Sequence, residues 1–239
     1  MFAAPSHPNT LNLAESMVRE LALGILRGDP PVGAKLPSVR SLATRFHTTV
    51  PTAQRVLASL DAASLVDVRH GGGATVRDPR RCGLSLAHLW FDALSDDPDR
   101  AAQLLDDLLA LRRMVAARLL RRGRAQLIEH LPQLAELWSA LAGDLPFAAR
   151  VETDIAFAWA LLELTDDLPA SAVFEAAERV LRQSPGVAEA LYADPARHQA
   201  AMGAVAEAIA SPHGDIDAAL APWDRTSVER FHAYLKEVC

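Results

Sequence analysis

The chain of 239 residues is poor in cysteine and has no long apolar run. Its two cysteines, Cys82 and Cys239, are too few for a disulfide framework and fit a reducing compartment. No apolar run reaches the ~18 residues that a membrane helix needs, and the N terminus lacks a basic segment followed by an apolar stretch. These absences predict a cytoplasmic protein without a membrane segment.

Several catalytic and metal-binding patterns are also missing. The sequence has no nucleophile elbow, no phosphate-binding loop, no paired-carboxylate signature and no Cys/His spacing of a zinc finger. Its glycine cluster follows a strand-like segment but does not open a helix, as a dinucleotide-binding loop would. We therefore expect no enzymatic activity, no catalytic residues and no cofactor.

The charged residues are unevenly distributed along the chain. The net charge is −6, yet residues 1–80 contain nine Lys or Arg against six Asp or Glu, whereas residues 81–239 contain 15 against 24. Because the local field near phosphates governs nucleic-acid binding, the basic N-terminal part favours a DNA-binding domain. The length suits two domains, which we place at 1–78 and 86–239 with a linker at 79–85.

The segment 36–77 has the order of elements of a winged helix-turn-helix. Ser38 is placed to cap one short helix and Thr49 to cap the next. Alternating residues near 65–68 and 74–77 predict two strands around a glycine tip that can adopt positive φ. The second helix would enter the major groove of DNA and the hairpin would lie beside it.

The rest of the chain has helical periodicity. A first helix should run from near Thr10 to Gly28. Beyond about residue 84, Ala and Leu recur at helical spacing without strand-like alternation. Helices are expected near 85–94, 99–122, 125–142, 146–165, 169–184, 186–193, 195–211 and 224–237. The predicted fold is mainly α: an N-terminal winged helix-turn-helix with a small β-hairpin, followed by an all-α helical bundle.

A helix-turn-helix offers the N-terminal side chains of its second helix to base edges, while basic and hydroxyl groups hold phosphates. Gln54 can pair with adenine, and Val50 can pack on a thymine methyl group. Simpler interpretations stay open: Thr49 is a helix cap in any case, Gln54 and Arg55 could be a solvated face, and the glycines could form only a turn. The candidate DNA-binding residues are Arg40, Thr48, Thr49, Val50, Thr52, Gln54, Arg55, His70 and Gly71.

These motifs resemble the DNA-binding domain of the GntR family over about residues 11–78. The resemblance is carried by Leu36-Pro-Ser-x-Arg40-x-Leu-Ala43, Thr52-x-Gln-Arg-x-Leu57-x-x-Leu60, Leu65-Val66 and Gly71-x-Gly73. It implies a dimeric repressor or activator on a short palindromic operator, contacted through Arg40, Thr49, Thr52, His70 and Gly71. Many members carry Arg where this chain has Val50 and Gln54, which predicts an altered operator preference and weaker attraction to phosphates.

The helical part resembles the ligand-sensing FCD domain of the FadR subfamily over about residues 100–235. The resemblance is carried by 111–119, 154–157, His198 and Gly214-Asp215. It implies a pocket that often holds a divalent metal through an Asp, a His four residues later and two further His. Arg112 matches the arginine that the family uses toward acidic ligands.

Only part of that metal-binding pattern is present. Asp154 matches the first ligand, but Ala158 stands four residues on, and either His198 or Met202 matches the next position. We therefore predict no metal site, and an acidic organic effector bound through Arg112, Asp154 and His198. In the simpler interpretation, His198 is a surface or core-edge residue, Asp154 a cap or satisfied polar group, and Arg112 a surface arginine.

Together the two parts predict a homodimeric transcription regulator that acts as a ligand-responsive repressor. Its partners would be double-stranded operator DNA and a small carboxylate. The alternative from another class is a winged-helix module for protein interaction, with the helical part as a dimer scaffold without a small-molecule ligand. A DNA-binding protein loses affinity steeply as salt rises, whereas a protein-docking module would not bind duplex DNA.

Overall fold

The structure is a computed structural model that describes residues 12–69, 72–130, 132, 134, 145–211, 213–221 and 224–238. Contacts divide the chain into two compact units, Met1–Ala93 and Leu94–Cys239. The described residues are mostly helical, with one small antiparallel sheet. The predicted fold class, a winged helix-turn-helix followed by a helical domain, is confirmed. No helix in the described ranges is long and apolar enough to cross a membrane.

The first helix, α1, spans Leu13–Arg27 and supports the helix-turn-helix. Asn12 caps it: the Asn12 side chain accepts from the Glu15 N–H at 3.1 Å, and the Glu15 carboxylate accepts from the Asn12 N–H at 3.0 Å. The helix ends as predicted at Gly28, which has φ +86°. The predicted start near Thr10 lies outside the described residues, and the described helix begins at Leu13.

Helices α2 (Val39–Arg45) and α3 (Val50–Ala62) form the helix-turn-helix. Ser38 caps α2 and Thr49 caps α3, as their positions in the sequence predicted. The core beneath them is aliphatic and consists mainly of Met17, Leu21, Ile25, Leu36, Leu42, Ala53, Val56, Leu57, Leu60, Leu65 and Val66. Burying one face of each helix in this core leaves the opposite face in solvent.

The hairpin is a two-stranded antiparallel sheet of β1 (Val66–Arg69) and β2 (Gly73–Val76). A third extended segment joins it, because Lys35 forms an antiparallel bridge with Thr75. Gly73 has φ +81°, in agreement with the predicted use of glycine at the tip. His70 and Gly71, two candidate DNA-binding residues, lie outside the described residues.

After the hairpin, 3₁₀ turns at Pro79–Arg81 and Leu84–Leu86 lead into α4, Ala87–Ala93. Leu89 of α4 belongs to the core of the N-terminal unit, and Leu86, Trp90 and Ala93 pack against it. The sequence placed the second domain from residue 86, whereas the contacts divide the chain after Ala93. Helical periodicity predicts that a helix forms, but it does not indicate which of the two hydrophobic cores that helix packs against.

The second unit is a bundle of helices whose positions agree with the expected segments. The described helices are α5 (Pro98–Arg122), α6 (Arg124–Glu129), α7 (Phe147–Thr165), α8 (Leu168–Gln183), α9 (Pro185–Tyr192), α10 (Pro195–Ala210), α11 (Ile216–Leu220) and α12 (Asp224–Val238). The short helix α11 was not predicted. Most of the helix expected at 125–142 lies outside the described residues. In the described part of this unit Leu, Ala and Val supply most of the core.

Candidate nucleic-acid interface and polar cluster

The N-terminal half of α3 presents a polar surface to solvent. Thr49 Oγ1 accepts from the Thr52 N–H at 3.3 Å and lies 3.0 Å from Thr52 Oγ1. Because this cap fixes the first turn, the side chains that follow it have a defined direction. Val50, Gln54 and Arg55 are exposed, while Ala53, Val56, Leu57 and Leu60 face the core.

The turn between the two helices has a backbone conformation fixed by His47 and Thr48. His47 has φ +49°, a conformation that few residues other than glycine adopt. The Thr48 N–H donates to the Ala43 carbonyl at 2.8 Å, so the half-buried Thr48 is fixed at the base of α3. Of the candidate residues, Arg40, Thr48, Thr49, Val50, Thr52, Gln54 and Arg55 therefore lie in or beside one turn and its two helices.

The arginines of this unit fall into two groups. Some are paired with carboxylates: Arg19 with Asp92 at 2.7 Å, Arg45 with Glu20 at 2.6 Å, Arg80 with Asp78 at 2.7 Å, and Arg69 and Arg77 with Asp67 at 3.0 and 3.3 Å. The bonds from Arg69 and Arg77 lower the pKa of Asp67, so Asp67 keeps its negative charge.

The second group consists of Arg27, Arg40, Arg55 and Arg81. All four are exposed, and none has a carboxylate within 4.0 Å among the residues the structure describes. Arg27 donates instead to the main-chain carbonyl of Asp92 at 3.1 Å. Lys35, on the third extended segment, is also exposed and has no such partner within the described ranges. The positive charges without a carboxylate partner among the described residues therefore include one on α2, one on α3 and one on the third extended segment.

In the C-terminal unit the structure brings Asp154 of α7 next to His198 of α10. Asp154 Oδ1 lies 3.6 Å from His198 Nε2, and the Tyr192 hydroxyl donates to Asp154 Oδ2 at 2.5 Å. The rings of Tyr192 and His198 lie 5.1 Å apart between centroids. His198 is 2% exposed, so the expectation of a surface histidine is wrong. Asp154 is a hydrogen-bonded group in mid-helix and not a cap.

Arg112 of α5 is half-buried near this cluster. Burial lowers the pKa of His198, and the positive charge of Arg112 lowers it further, against the attraction of Asp154. Burial, together with Asp154, raises the pKa of Tyr192 well above its usual value, while Arg112 opposes that rise. Arg112, Asp154 and His198, the three residues assigned from sequence to an effector site, thus act on one another electrostatically.

Sequence reasoning missed two members of the cluster, Tyr192 and Arg150. Arg150 is 6% exposed and donates from Nη1 to the Tyr192 carbonyl and from Nη2 to the Leu145 carbonyl, both at 2.8 Å. The spacing of four residues between Arg150 and Asp154 on one helix could have indicated Arg150. No sequence pattern indicated Tyr192, because it comes from a different helix.

The donor set of this cluster does not fit the divalent metal that the FCD resemblance implies. Asp154 shares its carboxylate with a phenol and an imidazole, Ala158 offers no ligand, and Met202 is packed in the hydrophobic core. No group of three His, Cys, Asp or Glu residues suited to a metal occurs within the described ranges. The positive charge in the cluster comes from arginines.

An acidic cleft lies elsewhere in the same unit, between α5 and α12. It has a volume of about 400 Å³ and is lined by Asp99, Ala102, Gln103, Asp106, Val228, Glu229 and His232. His232 Nε2 lies 2.7 Å from Asp99 Oδ1. Because like charges repel, three carboxylates in the lining disfavour an anionic ligand there.

The helices and the hairpin of the N-terminal unit define it as a winged helix-turn-helix domain whose second helix exposes one face to solvent. Residues 13–76 match the family model described as "Bacterial regulatory proteins, gntR family". This segment is a helix-turn-helix domain of the GntR family. The FadR and FCD assignment of the helical part is not supported by a family match.

Two relatives from Mycobacterium tuberculosis match part of the chain. The HTH-type transcriptional regulator Mce2R is 33% identical over 126 residues, which cover 53% of this chain and 45% of Mce2R. An uncharacterized HTH-type transcriptional regulator is 38% identical over 72 residues, 30% of each chain. The chain therefore spans less than half the length of the relatives it matches. These relatives are transcription regulators, which agrees with the prediction that the chain is not an enzyme.

A solved structure is similar over almost the whole chain. It is Lar, described as controlling the expression of the Listeria monocytogenes agr system, with a TM-score of 0.52, 15% identity and 97% of both chains covered. At this level of identity the match supports the fold alone. The order of a winged helix-turn-helix followed by a helical domain is thus shared with a known structure.

Proposed function

We propose that the protein is a cytoplasmic transcription regulator that binds an operator in double-stranded DNA through α3 and the hairpin. The observation that carries the proposal is that Arg40 of α2 and Arg55 of α3, the two helices of the helix-turn-helix, are exposed and have no carboxylate within 4.0 Å among the described residues. Arg45 and Arg19 of the same unit are paired with Glu20 and Asp92, so they attract phosphates less than Arg40 and Arg55 do.

The side chains of α3, together with Arg40 of α2, would contact different parts of the DNA. Thr49 and Thr52 carry hydroxyl groups suited to phosphate oxygens, and Arg40 can bind phosphate or the acceptors of guanine. Gln54 can form two hydrogen bonds with adenine, and the exposed Val50 can contact a thymine methyl group. His70 and Gly71 complete the proposed interface at the hairpin tip.

We further propose that the regulator acts as a homodimer on a palindromic operator and represses transcription. Two copies of α3 related by a two-fold axis would reach successive major grooves about 10 base pairs apart. The helical unit, as a FadR-type FCD domain, would provide dimerisation and bind a small acidic effector through Arg112, Asp154 and His198. Binding of the effector would change the affinity for the operator by linkage.

Operator binding by single variants tests the proposal. Arg40→Ala should weaken binding of a genomic operator fragment at least tenfold in a mobility-shift assay, because alanine cannot bind the phosphate or guanine that Arg40 would bind. Arg80→Ala is the matched control, since Arg80 is an exposed arginine of the same unit that Asp78 neutralises. Equal binding by wild type and Arg40→Ala, with both folded, would refute the assigned face. No binding of any duplex by the wild type would favour the protein-interaction alternative.

A further inference from the structure

Lys35 is one of only two lysines in the chain, although the sequence contains 24 lysines and arginines in total. The other lysine is Lys236, in α12 of the second unit. Lys35 lies in the third extended segment, and its side chain is exposed. This segment therefore carries a flexible ammonium group, which binds phosphate as a point charge.

Main-chain hydrogen bonds join the segment of Lys35 to the hairpin. The Leu36 N–H donates to the Ala74 carbonyl, and the Val76 N–H donates to the Ala34 carbonyl, both at 2.9 Å. Leu36 is buried in the core. Because successive side chains of an extended segment point to opposite faces, Lys35 lies on the outer face of the sheet.

The acidic residue on this outer face already has basic partners. Lys35 pairs with Thr75, and Thr75 pairs with Asp67 of β1, so the three residues form one row across the sheet. The Asp67 carboxylate accepts from Arg69 at 3.0 Å and from Arg77 at 3.3 Å. Lys35 has no carboxylate within 4.0 Å among the residues the structure describes. Its ammonium group is therefore available to an external anion.

The sequence offers no further acidic side chain of the N-terminal unit for Lys35. Residues 1–93 contain seven Asp or Glu, and all seven are among the described residues. They are Glu15, Glu20, Asp29, Asp61, Asp67, Asp78 and Asp92. An anion bound at Lys35 would therefore come from outside this unit.

We propose that Lys35 and Thr75 bind a phosphate of the DNA backbone at the outer face of the sheet. This inference rests on the operator binding proposed above and adds a contact to those of the helix-turn-helix and the hairpin tip. Residues opposite each other in antiparallel strands have Cβ atoms about 4.5–5.5 Å apart, so one phosphate can contact both side chains. Lysine and threonine are both common ligands of DNA phosphates.

The position of this pair in the domain suits a backbone contact. The segment of Lys35 runs directly into α2, which begins at Val39 and carries Arg40. On its other side the segment pairs with β2, which begins at Gly73 beside the hairpin tip. At about 3.3 Å per residue, Thr75 lies about 7 Å along the strand from Gly73. The segment thus links the two parts of the domain that are proposed to contact DNA.

A phosphate contact differs from a base contact in its effect on binding. Loss of a phosphate contact weakens binding of all sequences similarly and makes the slope of log K against log salt less steep by about 1. Lys35→Gln should therefore weaken binding of the operator fragment and of an unrelated duplex by the same factor, about fivefold at 0.1 M KCl. Lys35→Arg keeps the charge and should retain both affinity and slope. Thr75→Val removes an uncharged hydroxyl group and should weaken binding without changing the slope.

The scarcity of lysine allows a direct measurement on the full-length protein. Acetylation by an N-hydroxysuccinimide ester, followed by mass spectrometry of peptides, measures the reactivity of Lys35 and Lys236 in one sample. Operator DNA should slow the acetylation of Lys35 about fivefold, and KCl that releases the DNA should restore its rate. The acetylation of Lys236 should not change. Lys236→Gln is the matched control in the binding assay, since Lys236 is also exposed but belongs to the helical unit.

Three outcomes would overturn the inference. They are wild-type affinity and salt slope in folded Lys35→Gln, equal acetylation of Lys35 with and without operator, and a loss of affinity confined to the operator, which would indicate a base contact. Unchanged binding by Thr75→Val would refute the part of Thr75. If Lys35→Gln does not fold, the acetylation of wild type decides.

The failure of this inference can be told apart from failure of the proposed function. If Arg40→Ala weakens operator binding and Lys35→Gln does not, operator binding stands and the contact through Lys35 is refuted. If wild type binds no duplex, both the proposed function and this inference are overturned.

Discussion

The two units place arginine side chains in opposite surroundings. In the N-terminal unit Arg40 and Arg55 stand in water, whereas in the C-terminal unit Arg150 is buried. A charge in water acts over about 10 Å at 0.1 M salt and weakens as salt rises. A buried charge is screened far less and depends on the groups packed around it, which for Arg150 include the carbonyls of Tyr192 and Leu145. Exposed arginines are therefore the ones suited to the long polyanion that the proposed function requires.

The largest expected effect comes from removing both exposed arginines. The double variant Arg40→Ala/Arg55→Ala should weaken operator binding by about 2–6 kcal/mol, since each arginine that binds DNA contributes about 1–3 kcal/mol. The slope of log K against log salt should become less steep by about 2, because two phosphates are no longer neutralised. Fluorescence anisotropy over a KCl series measures both quantities. Arg80→Ala should match the wild type, and an unaltered slope in the double variant would contradict the comparison.

A buried carboxylate that has a charged partner should contribute measurably to stability. Asp167 is 3% exposed, caps α8 through the Ala170 N–H at 3.2 Å and accepts from Arg118. Asp167→Ala should lower the free energy of unfolding by about 1–3 kcal/mol, because the variant has neither the cap nor the charge-assisted bond. Urea unfolding of wild type and Asp167→Ala measures this difference in free energy.

The control for Asp167 is Asp97→Ala, which removes a more exposed cap, that of α5. Its effect should stay near 1 kcal/mol or below. Equal losses of unfolding free energy in the two variants would mean that burial of the Asp167 carboxylate adds nothing to stability.

A smaller effect is expected at the cap of the recognition helix. Thr49→Ala should lower stability by about 1 kcal/mol, since alanine cannot accept the bond from the Thr52 N–H. It should also weaken operator binding, because the first turn of α3 loses its fixed direction. Thr49→Ser keeps the hydroxyl group and should restore both properties in parallel melting and binding assays. Full stability of Thr49→Ala would show that the cap does not hold α3.

The last expected effect concerns pH and is small within the first pH unit below neutrality. Since the pKa of His198 is lowered in the folded protein, the unfolded chain takes up this proton first as pH falls below about 6.5. Stability attributable to neutral His198 is complete above that pH and is lost on acidification, by at most about 1.4 kcal/mol per pH unit. Unfolding curves of wild type and His198→Asn should diverge below pH 6.5. Parallel curves down to pH 5 would contradict the shift.

Local features of the N-terminal unit could be predicted from sequence because they depend on near neighbours. Ser38 and Thr49 cap their helices through residues three positions away, and Gly28 ends α1 through its own positive φ. The bridge between Lys35 and Thr75 could not be predicted, because a single extended residue leaves no periodic pattern.

Burial of polar groups was harder to predict than the helices themselves. His198 is a lone polar residue in an Ala-rich helix, and spacing along α10 does not reveal which neighbours cover it. Arginine side chains usually lie at the surface, yet the packing of α7 and α9 encloses Arg150. The joint location of Arg112, Asp154 and His198 was accessible only through the family resemblance, since the three residues come from separate helices.

Selection of genomic DNA fragments by the purified full-length protein tests the central claim most directly. At low salt, wild type should enrich a short two-fold symmetric sequence whose half-sites lie about 10 base pairs apart. The Arg40→Ala/Arg55→Ala variant should lose that enrichment. The claim is contradicted if wild type enriches no sequence, or if the variant enriches the same sequence to the same extent.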